Sequence, residues 1–89
     1  MYIKSGFLLK KIADEYTAIP YDGNYENISA VVSLNDTGAY LWRYLEEDSS
    51  EQELVSALTE EYGIDTSLAK EAVSVFLEML REHNLLEES

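Results

Sequence analysis

The chain has 89 residues and a mass of 10.1 kDa, carries six basic residues against 18 acidic ones for a formal charge of −12, and contains no cysteine. A length of this order makes one small domain with a thin core, hiding roughly 60 to 65% of the surface its unfolded form exposes. Disulfides, thiolate metal sites and a Cys nucleophile are excluded, and the charge repels phosphate backbones and anionic lipid.

Residues 1–89 are therefore read as a single domain, in chain order as follows. Met1 to Ser5 holds one lysine and no long apolar segment, and no apolar run approaches the roughly 20 residues that span a bilayer. A soluble, cytoplasmic protein without a membrane partner is expected. Phe7 to Ile12 and Glu15 to Ile19 are short runs rich in aliphatic, aromatic and β-branched residues, separated by the turn-like Ala13-Asp14, and they read as a β-hairpin. Pro20 ends the second run, and Tyr21 to Asn27 has the Asp-Gly and Asn content of a loop. Tyr21 and Tyr25 stand in that loop, where a partner could touch them. Ile28 to Leu34 follows as a third strand, with Ile28, Ala30, Val32 and Leu34 on one face and Ser29, Val31 and Ser33 on the other.

At Asn35 the period becomes helical. Asn35 or Asp36 can cap the first free amides, Gly38 allows helix and sheet to approach closely, and Leu41, Trp42 and Leu45 recur at helical spacing. The first helix is predicted over about Asp36 to Glu46, with Asp48-Ser49-Ser50 breaking it. Ser50-Glu51-Gln52-Glu53 matches a capping box, so a second helix should run from about Glu51 to Tyr62, with Leu54, Val55, Leu58 and Tyr62 inward and Gly63 as its left-handed terminator. Asp65 or Thr66 caps a third helix, about Ser67 to His83, which Asn84 can end.

On that third helix Ala69, Ala72, Val73, Phe76, Leu77 and Leu80 form one stripe, and Leu68, Val75 and Met79 widen it on one shoulder. The apolar arc is then about 200° wide, against the roughly 100° that one core requires. The shoulder either packs on the second helix or the sheet, or lines a groove beside the sheet.

No constellation suits catalysis. His83 is the only histidine, Glu46-Glu47 and Glu60-Glu61 stand at helix ends without a ligand-spaced partner, and there is no Gly-rich phosphate loop. The chain is expected not to be an enzyme and to need no cofactor or metal. Glu46 to Glu61 holds seven acidic residues and no Lys or Arg; it is either a solvated face or an attraction to a basic partner.

Gly6-Phe7-Leu8-Leu9, the Leu34-Asn35-x-Thr37-Gly38-Ala39-x-x-Trp42 junction, the Glu53-Leu54-Val55-x-x-Leu58-x-x-x-Tyr62 helix and the closing Phe76-Leu77-x-x-Leu80-x-x-x-x-Leu85-Leu86 together resemble the PqqD-like family. Its members are recognition elements for the precursors of ribosomally made, modified peptides. The resemblance implies an α+β, winged-helix-like fold, a three-stranded antiparallel sheet followed by three helices. It also implies that the leader segment of a precursor peptide is bound as an added strand on the third strand, in a cleft closed by the third helix. Carried onto this chain, that edge is Ser29, Ala30, Val31, Val32 and Ser33, and the wall is Leu68, Ala72, Val75 and Met79. The Leu34 to Trp42 junction builds the site without being expected to touch the ligand.

The implied role is delivery of the bound peptide to a maturation enzyme, either a leader protease or a radical-SAM enzyme. Relatives serve pyrroloquinoline quinone, lasso-peptide and sulfur-bridged peptide pathways. Members serving the quinone usually carry a basic, proline-containing segment near the N-terminus, and Met1 to Ser5 has none. A winged-helix order also raises DNA binding as the alternative. The third helix offers Lys70, Arg81 and His83 but also Glu71, Glu78 and Glu82, so phosphate contacts would have to overcome repulsion and no nucleic-acid partner is expected.

Overall fold

Residues 1–20 and 32–88 are described by a computed structural model, and within them strands give way to helices at Asn35. Strand β1 is Tyr2–Ile3, β2 is Phe7–Ile12, β3 is Glu15–Pro20 and β4 is Val32–Leu34. The hairpin of β2 and β3 closes in the register Ile12↔Glu15 around Ala13-Asp14, with Ala13 at φ 58°. Strand alternation then puts Ala18, Pro20, Val32 and Leu34 on the buried face, with Phe7, Leu9 and Tyr16 half-buried beside them. Pro20 stands as the last residue of β3, paired with Phe7. The third strand was expected over residues 28–34; its end is seen as β4, and 28–31, like the loop at 21–27, lie outside the described residues.

Helix α1 is Asp36–Leu45, α2 is Glu51–Tyr62 and α3 is Thr66–Glu82. Their ends follow from local chemistry. Asn35 caps α1, its Oδ1 accepting from the Gly38 amide at 2.7 Å. Ser50 and Glu53 form the reciprocal capping box of α2, at 3.1 and 3.0 Å, and Gly63 at φ 62° closes that helix through its amide to the Thr59 carbonyl. Between α1 and α2 the buried Ser49 hydroxyl donates to the Tyr44 carbonyl at 2.9 Å, which satisfies the end of α1 as the chain turns. Asp65 caps α3. Asn84, at φ 58°, ends it in a Schellman turn, with the Leu85 amide donating to the Leu80 carbonyl and the Asn84 amide to that of Arg81.

That turn feeds β5, Leu86–Glu87, which pairs antiparallel with β1 in a second, two-stranded sheet. Neither strand is anticipated from the sequence, since a two-residue ladder is too short to carry an alternation. One core joins the layers: Ala18, Val32 and Leu34 of the sheet meet Leu41, Trp42 and Leu45 of α1, Leu54 and Leu58 of α2, and Val73, Phe76, Leu77 and Leu80 of α3. Trp42 is 1% exposed, as befits a core residue. The α+β, winged-helix-like architecture of a three-stranded antiparallel sheet followed by three helices is thus present.

One inward assignment is corrected. Tyr62 is 44% exposed. It is the last residue of α2, beyond the reach of the core, and its ring packs edge-on against Tyr40 of α1 instead, with centroids 5.9 Å apart.

Candidate functional site

The sheet order β2-β3-β4 pairs β4 with β3 on one side, through Tyr16↔Leu34, Thr17↔Ser33 and Ala18↔Val32. Among the described residues its other side has no strand partner. Such an edge presents amides and carbonyls able to extend a ladder. Beside it lies a groove of about 450 Å³ between β4, the first turns of α1, and α3.

Two classes of residue line this groove. Leu34, Gly38, Leu41 and Phe76 are buried and form its floor, while Leu68, Ala72, Val75 and Met79 come from successive turns of α3. Leu68 is 54% and Val75 65% exposed, so the shoulder of α3 is not packed on α2 or the sheet; it stands open along the groove. Ala72 and Met79 are half-buried against the core. From Leu68 to Met79 the wall rises about 16 Å at 1.5 Å per residue. A strand of five residues spans about 13 Å, so the wall matches an extended segment of that length.

The strand-to-helix junction sets how narrow the groove is. A Cβ on Gly38 would stand 3.2 Å from Asn35 Oδ1 and 3.4 Å from Leu34 Cβ, so any larger residue would press on the cap and on β4 where the first turn of α1 closes against the strand. Ser33, Asn35 and Thr37 supply polar groups at the rim, and Glu71 is the sole ionisable side chain among the lining residues. His83 lies apart from it. Its Nδ1–H donates to the Met79 carbonyl at 2.9 Å at the end of α3, and among the described residues no cluster of three His, Cys, Asp or Glu side chains could hold a metal.

Residues 15–86 match the family described as coenzyme PQQ synthesis protein D (PqqD). The chain belongs to the PqqD family. The solved structure of TbiB1 in complex with the TbiA(beta) leader peptide superposes on this PqqD-family chain with a TM-score of 0.76, at 26% identity, over 100% of this chain and 98% of that one. Nothing among curated proteins matches the chain.

In this PqqD-family chain Ser33, Leu68, Ala72, Val75 and Met79 come together around the groove. Val32 belongs to the same edge through its backbone, but its side chain turns into the core. Ser29, Ala30 and Val31 lie outside the described residues. The junction helps to build the groove: Leu34, Asn35, Thr37, Gly38 and Leu41 line it, because α1 leaves β4 at once and its first turn stays beside the edge. Glu71, noted in the sequence only as a charge unfavourable to DNA, also lines the groove. Its position three residues after Leu68 and four before Val75 was the available signal, since those spacings share a helix face.

Proposed function

We propose that this chain is a non-catalytic binder of the leader segment of a ribosomally made precursor peptide, which it takes up as an added strand on β4 and holds against the wall of α3. The observation that carries this reading is the edge of β4, without a strand partner among the described residues, beside an open apolar groove, in a chain whose fold follows TbiB1 of the leader-peptide complex along its whole length. Main-chain ladder bonds supply affinity in such an arrangement, and pockets for alternate side chains supply specificity.

Magnitudes locate the selectivity. Four ladder hydrogen bonds at about 1 kcal/mol each face an association cost of about 4 to 15 kcal/mol. Strand addition alone does not outweigh that cost. Two or three apolar side chains buried against Leu68, Ala72, Val75 and Met79 add about 1.5 to 3 kcal/mol each, so the leader must present apolar anchors at alternating positions. Glu71 makes the groove selective for charge: a Lys or Arg facing it, between the anchors, gains a pairing that an acidic residue there would turn into repulsion.

The edge extends in this reading over Ser29 to Ser33. The maturation partner is a leader protease or radical-SAM enzyme acting in the cytoplasm, with no membrane or nucleic acid involved; no helix among the described residues is long and apolar enough to cross a membrane. Lasso peptides, sulfur-bridged peptides and the quinone cofactor are the product classes such a module serves. Calorimetry against synthetic leader segments of the small peptides encoded beside this protein tests the reading. One leader should bind with 1:1 stoichiometry and shift the amide resonances of Val32 to Leu34, and absence of binding by every segment would refute it.

A further inference from the structure

A second surface lies away from the leader groove and shares none of its lining residues. Tyr40 and Tyr44, one turn apart on α1, meet edge to face with centroids 5.3 Å apart, and Tyr62 at the end of α2 stands edge-on to Tyr40. Tyr44 and Tyr62 are 40% and 44% exposed, so the cluster is an aromatic step on the outside of the helical layer. Next to it a cleft of about 390 Å³ is lined by Tyr44, Ser50, Glu53, Ser56 and Glu60, among others, and by no basic residue.

Charge around this step is mostly negative, with Arg43 of α1 as the one nearby basic residue. Between Tyr44 and Tyr62 the chain has seven carboxylates and no Lys or Arg. Glu53 is occupied by the capping box, whereas Glu60 and Glu61 form no ion pair with any described residue. The Tyr40 hydroxyl is pushed up to about 12 by its hydrogen bond with Tyr44, by burial and by the nearby charges that include Glu61. Tyr40 therefore stays neutral at physiological pH, in a mostly negative field.

We propose that the Tyr40–Tyr44–Tyr62 step and the Glu60-Glu61 rim form a docking site for an arginine-bearing segment of a partner protein. A guanidinium can lie flat on the exposed face of a tyrosine while its planar fork meets a carboxylate, a geometry that an ammonium does not reproduce. Tyr44 and Glu60 line the same cleft, so one arginine can reach both. Tyrosine and arginine are also the residues over-represented where interfaces concentrate their energy. Because this site and the leader groove have no lining residue in common, a partner can dock here while the groove is filled.

The test uses the full chain, ¹⁵N-labelled, titrated with a synthetic acetylated hexapeptide carrying two arginines and with its twin in which both are citrulline. The arginine peptide should give saturable shifts confined to the surroundings of Tyr40, Tyr44, Glu60 and Tyr62. Binding should weaken at least about tenfold for the citrulline twin and for both Tyr44→Ala and the double variant Glu60→Gln, Glu61→Gln. All these side chains are at the surface, and an unchanged spectrum elsewhere verifies that each variant is folded. Equal binding of the citrulline twin would overturn the proposal, as would shifts spread along Glu71, Glu78 and Glu82 of α3. Self-association through this cleft, abolished by Lys10→Glu with Lys11→Glu at the hairpin tip, would assign the surface to a second copy and overturn it too.

Discussion

Val75 exposes 65% of its surface, and its neighbours on the wall, Leu68 and Met79, border the same groove. An aliphatic side chain held in water by a rigid helix is a site waiting for an apolar partner, and a charge placed there leaves the fold alone. Val75→Glu and Met79→Glu should therefore lower leader affinity at least about tenfold, about 1.4 kcal/mol or more; Val75→Glu should do so with an unchanged melting temperature. Calorimetry and thermal melts on the same samples decide this, and unchanged affinity would remove the wall from the site. Ser50 illustrates the opposite case, a residue that matters to stability alone. It satisfies the Glu53 amide and, through its own amide, the Glu53 carboxylate, so Ser50→Ala should cost about 1 kcal/mol in a urea melt and leave leader binding untouched.

Among the elements, β4 decides the binding mode. In an antiparallel ladder successive residues point their amides alternately to the two sides, so only every second residue of an added strand bonds to β4. N-methylation of single leader residues should reproduce that alternation. One set of alternate positions should lose about fivefold in affinity per methyl group, about 1 kcal/mol, and the intervening set should lose little; a flat profile would contradict strand addition. Element boundaries were legible in the sequence wherever local chemistry sets them. Asn35, Ser50, Gly63, Asp65 and Asn84 each cap or end a helix where its residue type suggests. Whether the shoulder of α3 packs or stays open was not legible, because a wide apolar arc over Leu68 and Val75 fits either case, and only the distance between α3 and β4 determines whether they have neighbours. Tyr62 shows the same limit. It shares the helical face of Val55 and Leu58, yet its place at the end of α2 carries it past the core to Tyr40.

For the whole molecule, a charge of −12 on 89 residues means that the compact state works against its own repulsion. Added salt shortens the screening length, so the melting temperature should rise by a few degrees between low and moderate salt; a fall would show that specific ion pairs outweigh the net charge. One such pair ties the end of the chain to α3. Arg81 donates to both carboxylate oxygens of Glu88, at 2.8 to 3.2 Å, and this guanidinium holds the Glu88 carboxyl below the usual carboxylate range. A lowered folded value means that the tie contributes above the ordinary glutamate pKa and is lost as pH falls through the lower one. Carbon-detected titration should find Glu88 ionising below the ordinary glutamate value, with Arg81→Gln returning it toward that value.

The order of β2, β3, β4 and the three helices, the caps that bound the helices, Trp42 as a core residue and the likeness to the PqqD family were all determined by the sequence itself. Each depends on neighbours within a few positions or on a motif read in one stretch. The tertiary structure alone decided that Leu68 and Val75 on α3 stay open, that the first turn of α1 and Glu71 line the groove, that β1 and β5 pair across the molecule, and that the α1 and α2 tyrosines meet in an exposed step. These features arise between residues far apart in the chain, where packing distance and angle, rather than local propensity, set which side chains meet and which are left to a partner.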